Sequence, residues 1–98
     1  MFVKIHNAYR RIVAVCDAEL IGKKLEQGNM QLELSEEFYK GEKRTEKEVL
    51  EIMKIESSED AVFNIAGKKA VQAGLKAGII GSTGIIQIDG VPYALTLL

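Results

Sequence analysis

Residues 63–78 read FNIAGKKAVQAGLKAG, and the placement of this stretch decides the fold. Gly67, Val71, Gly74 and Gly78 recur at helical spacing, so they share one face of a helix predicted over Ala66–Ala77. Glycine inside a helix costs about 1 kcal/mol relative to alanine. Close approach of the helix backbone to a neighbouring element offsets that cost, so the spacing predicts three glycines turned inward against a sheet. The same residues admit a second reading. With Asn64 as a cap, the free amides of the first turn, together with Lys68 and Lys69, offer a cradle for a phosphate. The glycine-rich lead and Lys-Ser/Thr ending of a nucleotide loop are missing, however. Packing is the preferred reading, and an anion or RNA-backbone contact the alternative.

The sheet that such a helix needs is legible on both sides of it. Met1–His6 is rich in β-formers, and Ile12–Cys16 is a run of five apolar residues. A strand apolar on both faces is covered on both sides, so Ile12–Cys16 is expected at the centre, in a hairpin with the first strand. Asp17 is then expected to cap a short helix, Ala18–Leu25. Met30–Leu34 alternates as a half-buried strand, and residues 36–44 read as a charged connection turning at Gly41. Thr45 and Glu48 stand at capping-box spacing before an apolar stripe of Val49, Ile52 and Met53. Gly81 suits the end of the 66–77 helix. Two strands close the chain, Ile85–Ile88 and Tyr93–Leu97, joined at Asp89-Gly90, with Pro92 at the start of the second. The expected fold class is α+β: a single domain over residues 1–98, built as a small mixed, mostly antiparallel sheet with two or three helices packed on it.

Composition narrows the functional classes. The net charge is −1, which argues against a general pull toward nucleic acid or anionic membrane. That total conceals a pattern: residues 30–60 hold five Lys/Arg against ten Asp/Glu, whereas both flanking thirds carry a net charge of +2. Cys16 is the one cysteine, which excludes an internal disulfide and suits a reducing cytoplasm. No apolar run reaches the length of a membrane span, and the N-terminus lacks a signal-peptide core. No cofactor and no metal site are expected, since one His and one Cys supply no ligand cluster.

Three groups of residues remain as candidate sites. Arg10, Arg11, Lys23, Lys24, Lys68 and Lys69 would make a basic patch if the two ends of the chain meet, with Tyr9 and Tyr93 as stacking platforms. Cys16 and Asp17, at the end of the central strand, are the possible reactive pair; the apolar IVAV context favours a buried structural thiol instead. Gly81–Gly84 matches the bare GxxG of an RNA-clamping loop, but lacks basic residues between the glycines and is better read as a turn into a strand. The acidic run of residues 33–42 has no calcium-loop spacing and reads as a solvated face. Finally, the apolar C-terminal strand YALTLL, if it is a sheet edge, invites a homodimer.

Three segments together, IVAVCDAELIGKKL, FNIAGKKAVQAGLKAGII and IQIDGVPYA, resemble the archaeal family called domain of unknown function 424, in order and spacing and over essentially the whole chain. The family's Cys-Asp pair maps to Cys16 and Asp17, and its Asn-Ile-x-Gly element to Asn64, Ile65 and Gly67. Where the family pattern places a histidine after Gly-Val-Pro, this chain has Tyr93. The resemblance implies an archaeal cytoplasmic protein loosely associated with translation. It leans toward a small non-catalytic binding module for RNA or ribosome-associated proteins, with Asn64, Gly67, Lys68, Lys69 and Tyr93 among the binding residues. A protein-interaction domain and an enzyme using Cys16 are the rival expectations.

Overall fold

In the computed structural model, which describes residues 1–96, Phe2–His6 (β1) and Ile12–Cys16 (β2) pair as an antiparallel hairpin. The residues of β2 alternate between two buried faces. Val13 and Val15 enter one core cluster, Ala14 and Cys16 the other. A strand covered on both sides has no position for a polar side chain, which explains the unbroken apolar run.

Two further short strands, Lys24–Gln27 (β3) and Met30–Glu33 (β4), form a separate hairpin. They are followed by a one-turn helix, Glu36–Tyr39 (α1), and a two-residue strand, Glu42–Lys43 (β5). The helix Glu46–Ser58 (α2) then leads to the strand Val62–Ala66 (β6). Lys68–Ala77 (α3), Ile86–Ile88 (β7) and Val91–Leu95 (β8) complete the described chain. The main sheet runs β5-β1-β2-β6-β8-β7. Its one parallel pairing among the described residues is β2 with β6, in a register that sets Ile12 beside Val62 and Cys16 beside Ala66.

One face of this sheet packs on α2 and α3: Val49, Met53, Ala70 and Val71 meet Val13, Val15, Phe63 and Ile65. Met53 is fully buried, so its truncation to alanine removes about 2–5 kcal/mol of stability. The other face is covered by Leu20, Leu25, Leu34 and Tyr39. The result is a three-layer α+β domain, as the alternation of elements implies. Thr45 caps α2 as expected: its hydroxyl accepts from the Glu48 amide (3.2 Å), and the Glu48 carboxylate accepts from the Thr45 amide (2.9 Å). Asp89 and Gly90 make the two-residue turn between β7 and β8.

Several expectations are corrected. The helix predicted over Ala18–Leu25 is a 3₁₀ turn, Ala18–Leu20, followed by β3. The Gly22 amide donates to Leu34 and the Leu34 amide to Lys23, so the segment is drawn into pairing instead of coiling. Residues 36–44 hold α1 and β5. Asn64 is no cap: it lies inside β6, a strand that the helix reading absorbed. Of the three glycines expected to turn inward, Gly67 just before α3 and Gly74 within it do so. The third, Gly78, ends α3 in the left-handed conformation (φ 74°) with open space around it, taking the role expected of Gly81. Pro92 is the second residue of β8. The C-terminal strand is not a sheet edge, because β8 pairs with β6 on one side and β7 on the other; Leu97 and Leu98 lie outside the described residues.

Candidate functional site

Parallel neighbours send their following segments away from the same end of a sheet, and a crevice forms where those segments leave by opposite faces. That divergence occurs here. After β2 the chain turns to the face carrying Leu20; after β6 it enters α3, which packs through Ala70 and Val71 on the other face. Between them opens a cleft of about 290 Å³, walled by Leu20, Val91 and Pro92 and bordered by Glu19, Lys68 and Lys69. The antiparallel register of β8, with Tyr93 beside Ala66, brings the β7–β8 turn to the same end.

Two of the amides that begin α3 are already taken. The Lys69 amide donates to Asp17 Oδ2 (3.0 Å) and the Ala70 amide to Asp17 Oδ1 (2.8 Å). Asp17 is only 3% exposed, and its own amide donates to the Ala66 carbonyl (3.0 Å). The carboxylate therefore occupies the position an external anion would take at the positive end of the helix. Asp17 caps a helix as the sequence suggested, but one whose bonded residue Lys69 lies 52 residues further along the chain instead of the next one. Gly67 makes this possible. A Cβ there would lie 2.6 Å from Asp17 Oδ2, and its φ of 110° belongs to glycine. Its amide donates to the Pro92 carbonyl (2.9 Å), fixing the cleft wall to the helix start.

Cys16 lies beneath this end and is completely buried. Burial, reinforced by the charges of Asp17 and Glu19, pushes its thiol up to about 12. A thiol in that state has no appreciable thiolate at neutral pH. His6 pairs across the hairpin with Ile12 and Cys16 with Phe2, so the two sit at opposite ends of β1 and β2. The imidazole stacks on Phe38 (4.6 Å between centroids) and its Nε2 lies 2.8 Å from the Phe38 carbonyl oxygen. Tyr93 is half-buried, and its hydroxyl donates to Asn64 Oδ1 (2.8 Å) under the second face. Burial pushes the phenol pKa of both Tyr93 and its neighbour Tyr39 up, so both stay protonated. Neither Asn64 nor Tyr93 borders the cleft.

The six basic residues do not form one patch. Arg10 and Arg11 precede β2, while Lys68 and Lys69 follow β6, and the parallel register puts the two pairs at opposite ends of the sheet. Those ends are about 13 Å apart along the strands alone. Arg11 is also engaged in a bidentate pair with Glu56 (2.7 and 3.0 Å). Lys23 and Lys24 follow the 3₁₀ turn, where the Lys23 amide donates to the carbonyl of Leu20 (3.1 Å), and neither lines the cleft. Lys68 and Lys69 are exposed and form no salt bridge among the described residues. Glu19, Leu20, Gly90, Val91 and Pro92 were not singled out as site residues by sequence; the parallel β2–β6 pairing brings the first two to α3, and the antiparallel β6–β8 pairing brings the other three.

Among the described residues no helix is long and apolar enough to cross a membrane, and no group of three or more His, Cys, Asp or Glu is placed to hold a metal ion. The fold matches the crystal structure of an uncharacterized conserved protein from the archaeon Methanopyrus kandleri, with a TM-score of 0.86 and 24% identity over 97% of this chain and 88% of that one. No curated protein matches the chain. The family described as "Protein of unknown function (DUF424)" matches residues 6–97, so the chain belongs to the DUF424 family.

Proposed function

We propose that the protein is a non-catalytic, cytoplasmic binding module that contacts single-stranded RNA through the end of the sheet where β2 and β6 terminate. One observation carries this reading: Lys68 and Lys69 stand exposed and without a salt bridge among the described residues at a cleft where Asp17 already occupies two of the α3 amides. With those two amides filled, the lysine ammonium groups are the charged donors left to hold a phosphate there. Absence of catalysis is supported by the buried, protonated Cys16 and by its separation from His6. The single buried thiol fits a reducing compartment.

Mobility shifts with total cellular RNA test the reading. Two phosphate contacts on a single strand give a salt slope of about −1.4, hence about a sevenfold loss of affinity from about 50 to 200 mM salt. Replacement of both Lys68 and Lys69 by Glu abolishes the shift, and replacement of Arg10 leaves it in place. Absence of any complex at micromolar protein and low salt overturns the proposal, as does full binding by the double lysine variant.

A further inference from the structure

We infer that the cleft between the 3₁₀ turn and the β7–β8 turn seats one unpaired base of the bound strand, with guanine preferred. The inference rests on the RNA reading above and adds to it the group that enters the cleft. Its volume of about 290 Å³ falls at the small end of ligand pockets, suited to a planar ring rather than to a larger cofactor. Leu20, Val91 and Pro92 provide apolar walls. Lys68 and Lys69 border the same opening, so a nucleotide whose phosphate rests on the lysines has its base at the cleft mouth. The wall is held in place before any ligand arrives: the Gly67 amide is tied to the Pro92 carbonyl (2.9 Å), and the Asp89 amide to Gln27 Oε1 (2.7 Å). Apolar walls accept the face of a base without regard to its identity.

Identity is read by the edge. Glu19 is exposed, forms no salt bridge among the described residues and borders the cleft with a group that only accepts hydrogen bonds. Guanine offers two adjacent donors, N1–H and the N2 amino group, which match the two oxygens of one carboxylate. Adenine and cytosine offer a single amino group beside an acceptor. Uracil offers one N–H between two carbonyl oxygens, which a carboxylate repels. The expected order is therefore guanine, then adenine and cytosine, then uracil.

The test is an amide-resolved NMR titration of the intact chain with the four nucleoside 5′-monophosphates and with ribose 5-phosphate. GMP is expected to shift the Gly67, Gly90 and Val91 amides, with about tenfold tighter binding than UMP. Glu19→Gln, a change at an exposed position, is expected to erase that preference while leaving the salt slope of RNA binding unchanged. Equal responses to ribose 5-phosphate and to GMP overturn the base seat while leaving the phosphate contact standing. Shifts that leave Gly90 and Val91 untouched overturn it as well. A failed RNA mobility shift together with GMP binding separates the two readings in the other direction, retaining the base seat and removing RNA as its source.

Discussion

Replacing Asp17 tests whether an internal carboxylate holds the candidate site together. The side chain accepts two amides of α3 at 3.0 and 2.8 Å while almost entirely buried. A hydrogen bond to a charged group contributes about 1.5–3 kcal/mol net, and the favourable interaction with a helix N-terminus adds up to about 1 kcal/mol more. Asp17→Ala strands both donors, but the cleft beside them admits water, which recovers part of the loss. The expected destabilisation is about 3 kcal/mol, a large share of the roughly 5–15 kcal/mol that holds a domain of this size. Asp17→Asn keeps the shape and one acceptor but sets an amino group against a backbone donor, and about 2 kcal/mol is expected from that mismatch. In urea unfolding followed by helix circular dichroism, a slope of about 1.5 kcal/mol per molar turns the alanine loss into a midpoint about 2 M lower. Sulfate should stabilise Asp17→Ala more than the parent, because the vacated amides then take the external anion. Midpoints for both variants within about 0.3 M of the parent would refute the capping role.

Other outcomes follow from the same geometry. Gly67→Ala places a methyl group against the Asp17 carboxyl at a φ of 110°, and should cost about 3 kcal/mol or more. In an Asp17→Ala background the contacts with Cγ and Oδ2 are gone and the one with Cβ (2.7 Å) remains, so the collision is relieved in part and a double-mutant cycle should show coupling of about 1 kcal/mol; strict additivity would contradict the contact. Gly74→Ala meets only the movable ends of Ile80 and Ile65 and should stay within about 1 kcal/mol of the parent, since helix propensity offsets crowding. Native Cys16 should resist iodoacetamide at pH 8 and react once the chain is unfolded. Burial pushes its thiol from an ordinary value of about 9 up to about 12, so the folded state holds the proton more tightly. Stability is accordingly full below pH 9 and declines as pH rises toward 12, and Cys16→Ala should flatten that decline; an unchanged slope would remove the thiol as its cause.

Local chemistry was legible where the partner lies close in sequence. The β1–β2 hairpin, the doubly covered Ile12–Cys16 strand, the Thr45–Glu48 capping box and the Asp89-Gly90 turn each depend on residues within a few positions. Misreadings arose where a distant partner decides. Leu20, Ile21 and Leu25 have helical spacing, but the bonds of Gly22 and Leu34 across the chain convert the segment into a turn and a strand. β6 was hidden because Asn64 looks like a cap; its side chain instead meets the hydroxyl of Tyr93. The site was half legible. Asp17, Lys68 and Lys69 carry recognisable chemistry, whereas Glu19 joins them only through the parallel register of β2 and β6, and Val91 and Pro92 through the antiparallel register of β6 and β8, neither of which a local pattern encodes.

That register also bears on the order in which the chain assembles. The hairpin strands meet after a short loop, but β2 cannot find β6 until some fifty residues between them have been gathered in, and entropy delays closures of that span. The Asp17 clasp on α3 depends on the same closure, so the cleft is expected to form only after β2 and β6 have paired. Ligand binding should therefore report complete maturation of the domain, and chains arrested with only the early hairpin and α2 formed should have no affinity for what the finished protein holds.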